Sequence, residues 1–311
     1  MKRFALIGIG GYIAPRHLKA IAETNNQLVA ALDPFDSVGI IDSFFPDCDF
    51  FVEFERFDRH IDKLRRSKMP IDYVSICSPN YLHDAHIRFA LRQNAEAICE
   101  KPLVLNPWNV EALIELQQEF GKKINTILQL RLHPVIIELK NEIDRNPEKI
   151  YDIDLTYITS RGKWYDYSWK GDISKSGGVA TNIGIHFFDM LTWIFGPKIQ
   201  SKVFLREPHK SSGFLQLKKA NVRWFLSIDY HDLPEDVKSK GQRTFRSIVI
   251  DNKLIEFSEG FTDLHTESYR KILNGEGFGP ETTRESIEIA YEIRNQTISS
   301  SGEKHPLINN L

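Results

Sequence analysis

The sequence predicts an α/β fold in two parts. The first is a doubly wound parallel sheet, and the second is an α+β part built on a large, mostly antiparallel open sheet. Three observations carry this. Up to about residue 130, short apolar runs alternate with longer amphipathic stretches, the pattern of a parallel sheet covered on both faces. Beyond that point polar and apolar residues alternate singly, as in strands with one wet face. Finally, 311 residues suffice for about two domains at roughly 150 residues each.

Residues 3–9 (RFALIGI) read as a buried strand, and residues 15–24 as a helix with Pro15 in its first turn. Residues 28–33 form the second strand, and 73–78, 95–100 and 124–130 further ones. Residues 80–94 and 106–121 separate these as helices, the latter ended by Gly121. Residues 56–66 alternate in charge, as a solvated helix face does. In the second half, residues 152–159 alternate as a half-buried strand. Residues 213–229 read as two strands about a turn at Lys219–Asn221, and residues 244–258 repeat that form about Asp251–Asn252. Residues 282–299 close the chain as an amphipathic helix. The expected division is 1–128 and 129–311.

Composition narrows the function. Lys plus Arg total 40 and Asp plus Glu total 42, a formal net charge of -2, which disfavours a general nucleic-acid binder. No apolar run approaches the roughly 18 residues of a membrane span, and the short N-terminal run ends in glycine, unlike a signal peptide. Three cysteines (Cys48, Cys77 and Cys99) are too few for a disulfide framework. No His, Cys and Asp grouping has metal-ligand spacing, and no nucleophile elbow is present. The expected setting is cytoplasmic.

The first strand runs into Gly8-Ile9-Gly10-Gly11-Tyr12-Ile13-Ala14, followed by a helix. Glycines there let the chain turn tightly and let a pyrophosphate approach amide groups at the helix start. A strict G-x-G-x-x-G pattern is broken by Ile13. Asp33, at the end of the second strand, stands about 20 residues on, where an acid holds ribose hydroxyls; a helix N-cap is the alternative. No Lys or Arg follows Asp33 closely, so a 2′-phosphate would meet an uncompensated carboxylate and NAD is expected over NADP. Ser78-Pro79-Asn80-Tyr81-Leu82-His83 and Glu100-Lys101-Pro102 both lie at strand carboxyl ends, where such sheets bind ligands. The first reads equally as a capped turn, and Lys101 taken alone as a surface charge. Beside a cationic nicotinamide, Lys101 would have its pKa lowered and could orient or deprotonate a hydroxyl.

These segments, in this order, resemble the Gfo/Idh/MocA oxidoreductases. Residues 177–189 (GGVATNIGIHFFD) are similar to that family's G-G-x-x-x-D-x-G-x-H-x-x-D segment. A narrower resemblance, to the UDP-N-acetylglucosaminuronate 3-dehydrogenases (WlbA/WbpB type), is carried by residues 11–17, 75–91, 130–134, 164–171 and 261–266. It implies a Rossmann domain, NAD as cofactor, a sugar-acid substrate oxidised at C3 for bacterial surface-polysaccharide synthesis, and a homo-oligomer, expected as a tetramer. It also admits a 2-oxo acid as second substrate for recycling the cofactor. The cofactor contacts it implies are Gly8, Gly10, Gly11, Tyr12, Ile13, Asp33, Ser78, Pro79, Asn80, His83, Glu100, Lys101 and Gln129. Lys101, His186 and Asn182 are its catalytic positions.

Asn182 departs from the family, which commonly has Asp there. Asn carries no proton for a relay, so acid–base duty falls on His186 with Lys101, while Asn182 positions by hydrogen bonding. Without the resemblance, His186 among Ile185, Phe187 and Phe188 reads as a core histidine. A UDP-sugar acid needs cations, for which Arg16, Arg131, Arg161, Lys163 and Lys170 are candidates. Tyr165, within the aromatic segment 164–169, stacks on a ligand or packs against a neighbour. Two other readings share these residues: a dehydrogenase of a free sugar or polyol, and a non-catalytic NAD-binding sensor.

Overall fold

The computed structural model describes residues 1–255 and 263–308. The chain divides into two compact units: Met1–Leu132 with Thr262–Arg284, and His133–Phe261 with Glu285–Leu311. The single cut expected at residue 128 omits this return of the chain to the first unit. Phe261 and Thr262, and the expected strand end at 256–258, lie outside the described residues.

The first unit holds strands β1 (Arg3–Ile7), β2 (Gln27–Leu32), β3 (Asp49–Phe51), β4 (Tyr73–Ile76), β5 (Glu96–Cys99) and β6 (Ile124–Thr126). They form one parallel sheet in the order β3-β2-β1-β4-β5-β6. The order reverses between β1 and β4, and ligands bind at such a switch point, outside the strand carboxyl ends. Helices α1 (Ala14–Glu23), α2 (Phe54–Arg66), α3 (His83–Arg92) and α4 (Pro107–Phe120) connect the strands. Proline opens α1 and α4, and Gly121, in left-handed conformation, ends α4. Phe4, Leu6, Leu18, Ile21 and Ile98 share one core, where each buried side chain contributes roughly 1.5–3 kcal/mol.

In the second unit, helix α5 (Pro134–Asp144) precedes strand β7 (Tyr151–Thr159). The short helices α6 (Trp164–Tyr167) and α7 (Ile173–Ser176) lead through a π-helical turn, Ala180–Gly184, into α8 (Ile185–Phe195). Strands β8 (Lys198–Arg206), β9 (Lys210–Leu217) and β10 (Ala220–Ser227), helix α9 (Glu235–Ser239), and strands β11 (Thr244–Ile250) and β12 (Lys253–Ile255) follow. The sheet order is β12-β11-β7-β10-β9-β8. All its pairings are antiparallel except β7 with β10, which is parallel. The β9–β10 connection falls at Lys218–Lys219, one to two residues earlier than expected. Asp251 and Asn252 take positive φ between β11 and β12, as a two-residue hairpin loop requires. Helix α10 (Leu264–Leu273) packs in the first unit, its Tyr269 and Ile272 joining that core. Helix α11 (Arg284–Asn295) ends the regular structure apart from one short turn, Pro306–Ile308.

Candidate active site

The loops that leave β1, β2, β4, β5 and β6 carry the expected cofactor residues of the first unit. Gly8 has φ +90°, and a Cβ there would lie 2.6 Å from the Cys77 carbonyl carbon, so only glycine fits the turn between β1 and α1. The Gly11 N–H donates to the Gly8 carbonyl at 3.1 Å and the Ala14 N–H to the Gly11 carbonyl at 3.1 Å. Tyr12 stands 89% exposed, and Ile13 is half-buried. Asp33 is buried, and its carboxylate accepts the Gly10 N–H at 2.9 Å through Oδ2 and the Phe35 N–H at 2.9 Å through Oδ1. It therefore ties the glycine loop to the end of β2. No regular helix starts directly after it, so it is not a helix N-cap.

Ser78, Pro79 and Asn80 leave β4 beside this loop. Ser78 Oγ and His86 Nδ1 are 2.8 Å apart. His83 is 1% exposed, with Nδ1 2.7 Å from the Pro102 carbonyl and Nε2 2.9 Å from the Ser78 carbonyl. Its ring thus joins the loops after β4 and β5. Burial lowers its pKa, against the raising effect of those two carbonyls.

Lys101 is half-buried at the end of β5, while the neighbouring Glu100 is buried. Glu100 Oε1 lies 3.0 Å from His17 Nε2 and 2.9 Å from His265 Nε2. Burial alone would raise the Glu100 carboxyl, but the hydrogen bonds from His17 and His265 outweigh it and hold it well below the usual carboxylate range. Beyond β6, Gln129 Oε1 is buried with no hydrogen-bond partner among the described residues, an acceptor that a ligand donor could satisfy. Arg131 donates to the Thr282 carbonyl at 3.1 Å, with its guanidinium 5.4 Å from the Phe278 ring centre; Arg16 is exposed. An open glycine turn, a carboxylate at the end of β2 and an unpaired amide oxygen after β6 fit a dinucleotide.

The second unit carries the other candidates. Asn182 sits in the π-helical turn, a feature frequent at functional sites, and donates through Nδ2 to Tyr165 OH at 2.8 Å. Tyr165 is buried, which raises its pKa despite that bond. Its own hydroxyl hydrogen is left to donate elsewhere. His186, four residues after Asn182, is half-buried in the first turn of α8. Lys163 and Arg161 are exposed. Lys170 Nζ lies 4.2 Å from the Trp169 ring centre, and burial, then Arg161, lower its pKa.

Residues 2–127 match the oxidoreductase family with an NAD-binding Rossmann fold, Gfo/Idh/MocA, and residues 148–233 match that family's C-terminal alpha/beta domain. The WlbA (WbpB) dehydrogenase of Thermus thermophilus, solved in complex with NAD and alpha-ketoglutarate, is 51% identical to this chain. The match covers 99% of this chain and 100% of that one, with a TM-score of 0.96.

The chain belongs to the Gfo/Idh/MocA oxidoreductase family.

The Thermus enzyme in complex with NAD and UDP-GlcNAcA gives a TM-score of 0.95 at the same identity and coverage. The inositol 2-dehydrogenase of Rhizobium meliloti is 28% identical over 198 residues, 62% of this chain and 55% of its own. The glucose-6-phosphate 3-dehydrogenase of Bacillus subtilis is 23% identical over 250 residues, 77% of this chain and 65% of its own. The chain therefore spans between about half and two thirds of the length of these curated relatives.

Within this family framework, four residues escaped the sequence reading: His17, Ser75, His265 and Tyr269. His17, Ser75 and His265 fall inside segments that carried the resemblance, but neither spacing nor motif gave them a task. One side-chain grouping was also invisible along the chain. His17, Glu100 and His265 gather three potential ligand atoms within 4.8 Å of one another, a grouping hidden by separations of 83 and 165 positions along the chain.

Proposed function

We propose that this chain oxidises the C3 hydroxyl of UDP-N-acetyl-D-glucosaminuronic acid to the 3-keto sugar with NAD, in the synthesis of bacterial surface polysaccharide. One observation carries the reading: the near-complete match, at 51% identity, to a dehydrogenase crystallised with NAD and with UDP-GlcNAcA. Bound NAD supplies the hydride acceptor, and this chain supplies binding, orientation and the management of the hydroxyl proton. Gly8, Gly10, Gly11, Tyr12 and Ile13 cradle the pyrophosphate, and Asp33 receives the ribose hydroxyls. Ser78, Pro79, Asn80 and Gln129 line the remainder of the cofactor site. His83 and Glu100 serve it through the loops they brace.

Lys101 holds the reacting hydroxyl, and His186 takes or relays its proton. Asn182 fixes the Tyr165 hydroxyl, whose hydrogen is then presented to the sugar. Arg16, Arg131 and Lys163 offer charge for the diphosphate and carboxylate. Because Asn182 has no acid–base function, this chemistry needs only Lys101 and His186. An exchange with a 2-oxo acid regenerates NAD; the Thermus relative was solved with alpha-ketoglutarate. The working form is a cytoplasmic homo-oligomer, a tetramer. No helix among the described residues is long and apolar enough to cross a membrane.

The test is NADH formation at 340 nm from NAD with UDP-GlcNAcA, other UDP-sugar acids, myo-inositol and free glucose. Turnover confined to UDP-sugar acids is expected. Turnover confined to free sugars or polyols transfers the assignment to them, and tight NAD binding with no turnover of any of them supports a sensor. Lys101→Ala should lower kcat by at least ~100-fold and leave NAD affinity intact.

A further inference from the structure

A buried line of hydrogen bonds ends at the carboxylate next to Lys101. Its members come from α1 (His17), β4 (Ser75), the end of β5 (Glu100) and α10 (His265 and Tyr269), and all five are at most 6% exposed. Besides the two contacts on Glu100 Oε1, His17 Nδ1 lies 2.8 Å from Tyr269 OH, which lies 2.6 Å from Ser75 Oγ. The proton order follows from the chemistry of each group. An ionised carboxylate only accepts, so both Nε2 atoms carry hydrogens. A neutral His17 then accepts at Nδ1, so Tyr269 donates to it and accepts from Ser75. Turning any one of these bonds around would set like groups against each other inside the core. Glu100 Oε2 in turn faces the Lys101 backbone N–H at 3.3 Å. His83 grips the next residue, Pro102, at its carbonyl.

We propose that this line is the positioning device for Lys101, with Glu100, His17, His265 and Tyr269 as positioning residues that set the backbone and the local field from which the lysine projects. The proposal rests on the reading of Lys101 as the group that meets the substrate hydroxyl. It gives helix α10 a role: it delivers His265 and Tyr269 to the base of the Glu-Lys-Pro turn. The Nε2–Oε1 spacings are those of hydrogen bonds, so the trio is a proton-ordered network and the purified protein is expected to carry no stoichiometric metal there.

Three variants of the full chain test this: His265→Leu, His265→Gln and Tyr269→Phe. His265→Leu removes the donor to Glu100 and should lower kcat ~100-fold, as a small misplacement of a reacting group does. KM for NAD and for the sugar nucleotide should stay within about threefold. His265→Gln keeps an N–H near the same place and should recover most of that loss. Tyr269→Phe preserves the packed ring and should lower kcat ~10-fold, so the idea stays testable if the leucine variant fails to fold.

A second readout needs no substrate: trace acetylation of Lys101 by acetic anhydride across pH, followed by peptide mass spectrometry. Its midpoint should shift in His265→Leu and return in His265→Gln. Unchanged kcat and unchanged labelling in folded variants overturn the proposal, as does a kcat loss that tracks only the thermal midpoint. One equivalent of zinc or another transition metal in the wild-type protein overturns the proton assignment. A labelling shift in a protein that does not oxidise UDP-sugar acids preserves the positioning role and refutes the substrate reading instead.

Discussion

Replacing Asp33 by Asn tests how the first unit selects its dinucleotide. Both carboxylate oxygens are engaged, one by the Gly10 N–H and one by the Phe35 N–H, each at 2.9 Å. The amide keeps the shape but accepts at one oxygen only, so one of these N–H groups faces an NH2. That should cost about 1–3 kcal/mol of stability, visible as a lower melting temperature in a folded protein. The charge matters separately. A unit charge about 4 Å from a carboxylate costs about 1 kcal/mol in a water-like environment and about 4 kcal/mol nearer a protein-like one. A 2′-phosphate bears a charge of about -2, so even the water-like limit penalises NADPH by about 2 kcal/mol, or ~30-fold. The Asp33→Asn substitution should remove this penalty. It should also weaken NADH about tenfold, as the proposed bond from residue 33 to the ribose would lose its charge assistance. Fluorescence titration with NADH and NADPH, alongside thermal melts, reads both. With both effects together the NADPH/NADH affinity ratio should rise ~300-fold; a folded variant whose ratio stays within twofold of wild type would refute the reasoning.

Other predictions concern single groups. His86 and His305 are both pushed by burial down to about 4, whereas in the unfolded chain they titrate near 6.5. Between those values the unfolded state binds more protons, so stability is complete above about pH 6.5 and falls as pH drops toward 4, by up to about 3 kcal/mol per histidine. Melting temperatures across pH 4–8 should show this slope, and a conservative replacement of either histidine should flatten it. Gly8→Ala sets a Cβ 2.6 Å from the Cys77 carbonyl carbon at φ +90°; it should cost about 1–3 kcal/mol or more and abolish cofactor binding, by calorimetry. Asn182→Asp can keep a bond to Tyr165 only with the donor reversed, which takes away the hydrogen Tyr165 would present to the sugar, and should lower kcat about tenfold. Asn182→Ala frees the tyrosine and should lose ~100-fold, by steady-state kinetics.

Much of the first unit was legible because a parallel strand buried on both faces is a plain apolar run, and because β1, β4 and β5 end in loops whose residue types are chemically distinctive. Strand β3 was not, being three residues long with Asp49 as its first member. In the second unit, alternation revealed which strands have one wet face, but alternation reports a face and not a direction. The parallel pairing of β7 with β10 was therefore hidden among antiparallel neighbours. Helix α10 showed least in the chain itself. His265 and Tyr269 make their side-chain hydrogen bonds with Glu100, Ser75 and His17, each 165 or more positions away. Separations of 83 and 165 positions concealed the buried acid between two histidines, while the neighbouring Lys101 stood out through its proline and its place at a strand end. The expected cation set was the least decidable, because exposed Arg16, Arg161 and Lys163 look alike in sequence, whereas Arg131 proved to be buried against Phe278 and the Thr282 carbonyl.

The reaction itself can be followed atom by atom. UDP-N-acetyl-D-glucosaminuronic acid carrying deuterium at C3, incubated with stoichiometric protein and NAD, should yield NADH one mass unit heavier. The oxidation should slow by a primary isotope effect wherever hydride transfer limits the rate. Unlabelled NADH from this substrate, or label retained in an oxidised sugar, would contradict oxidation at C3.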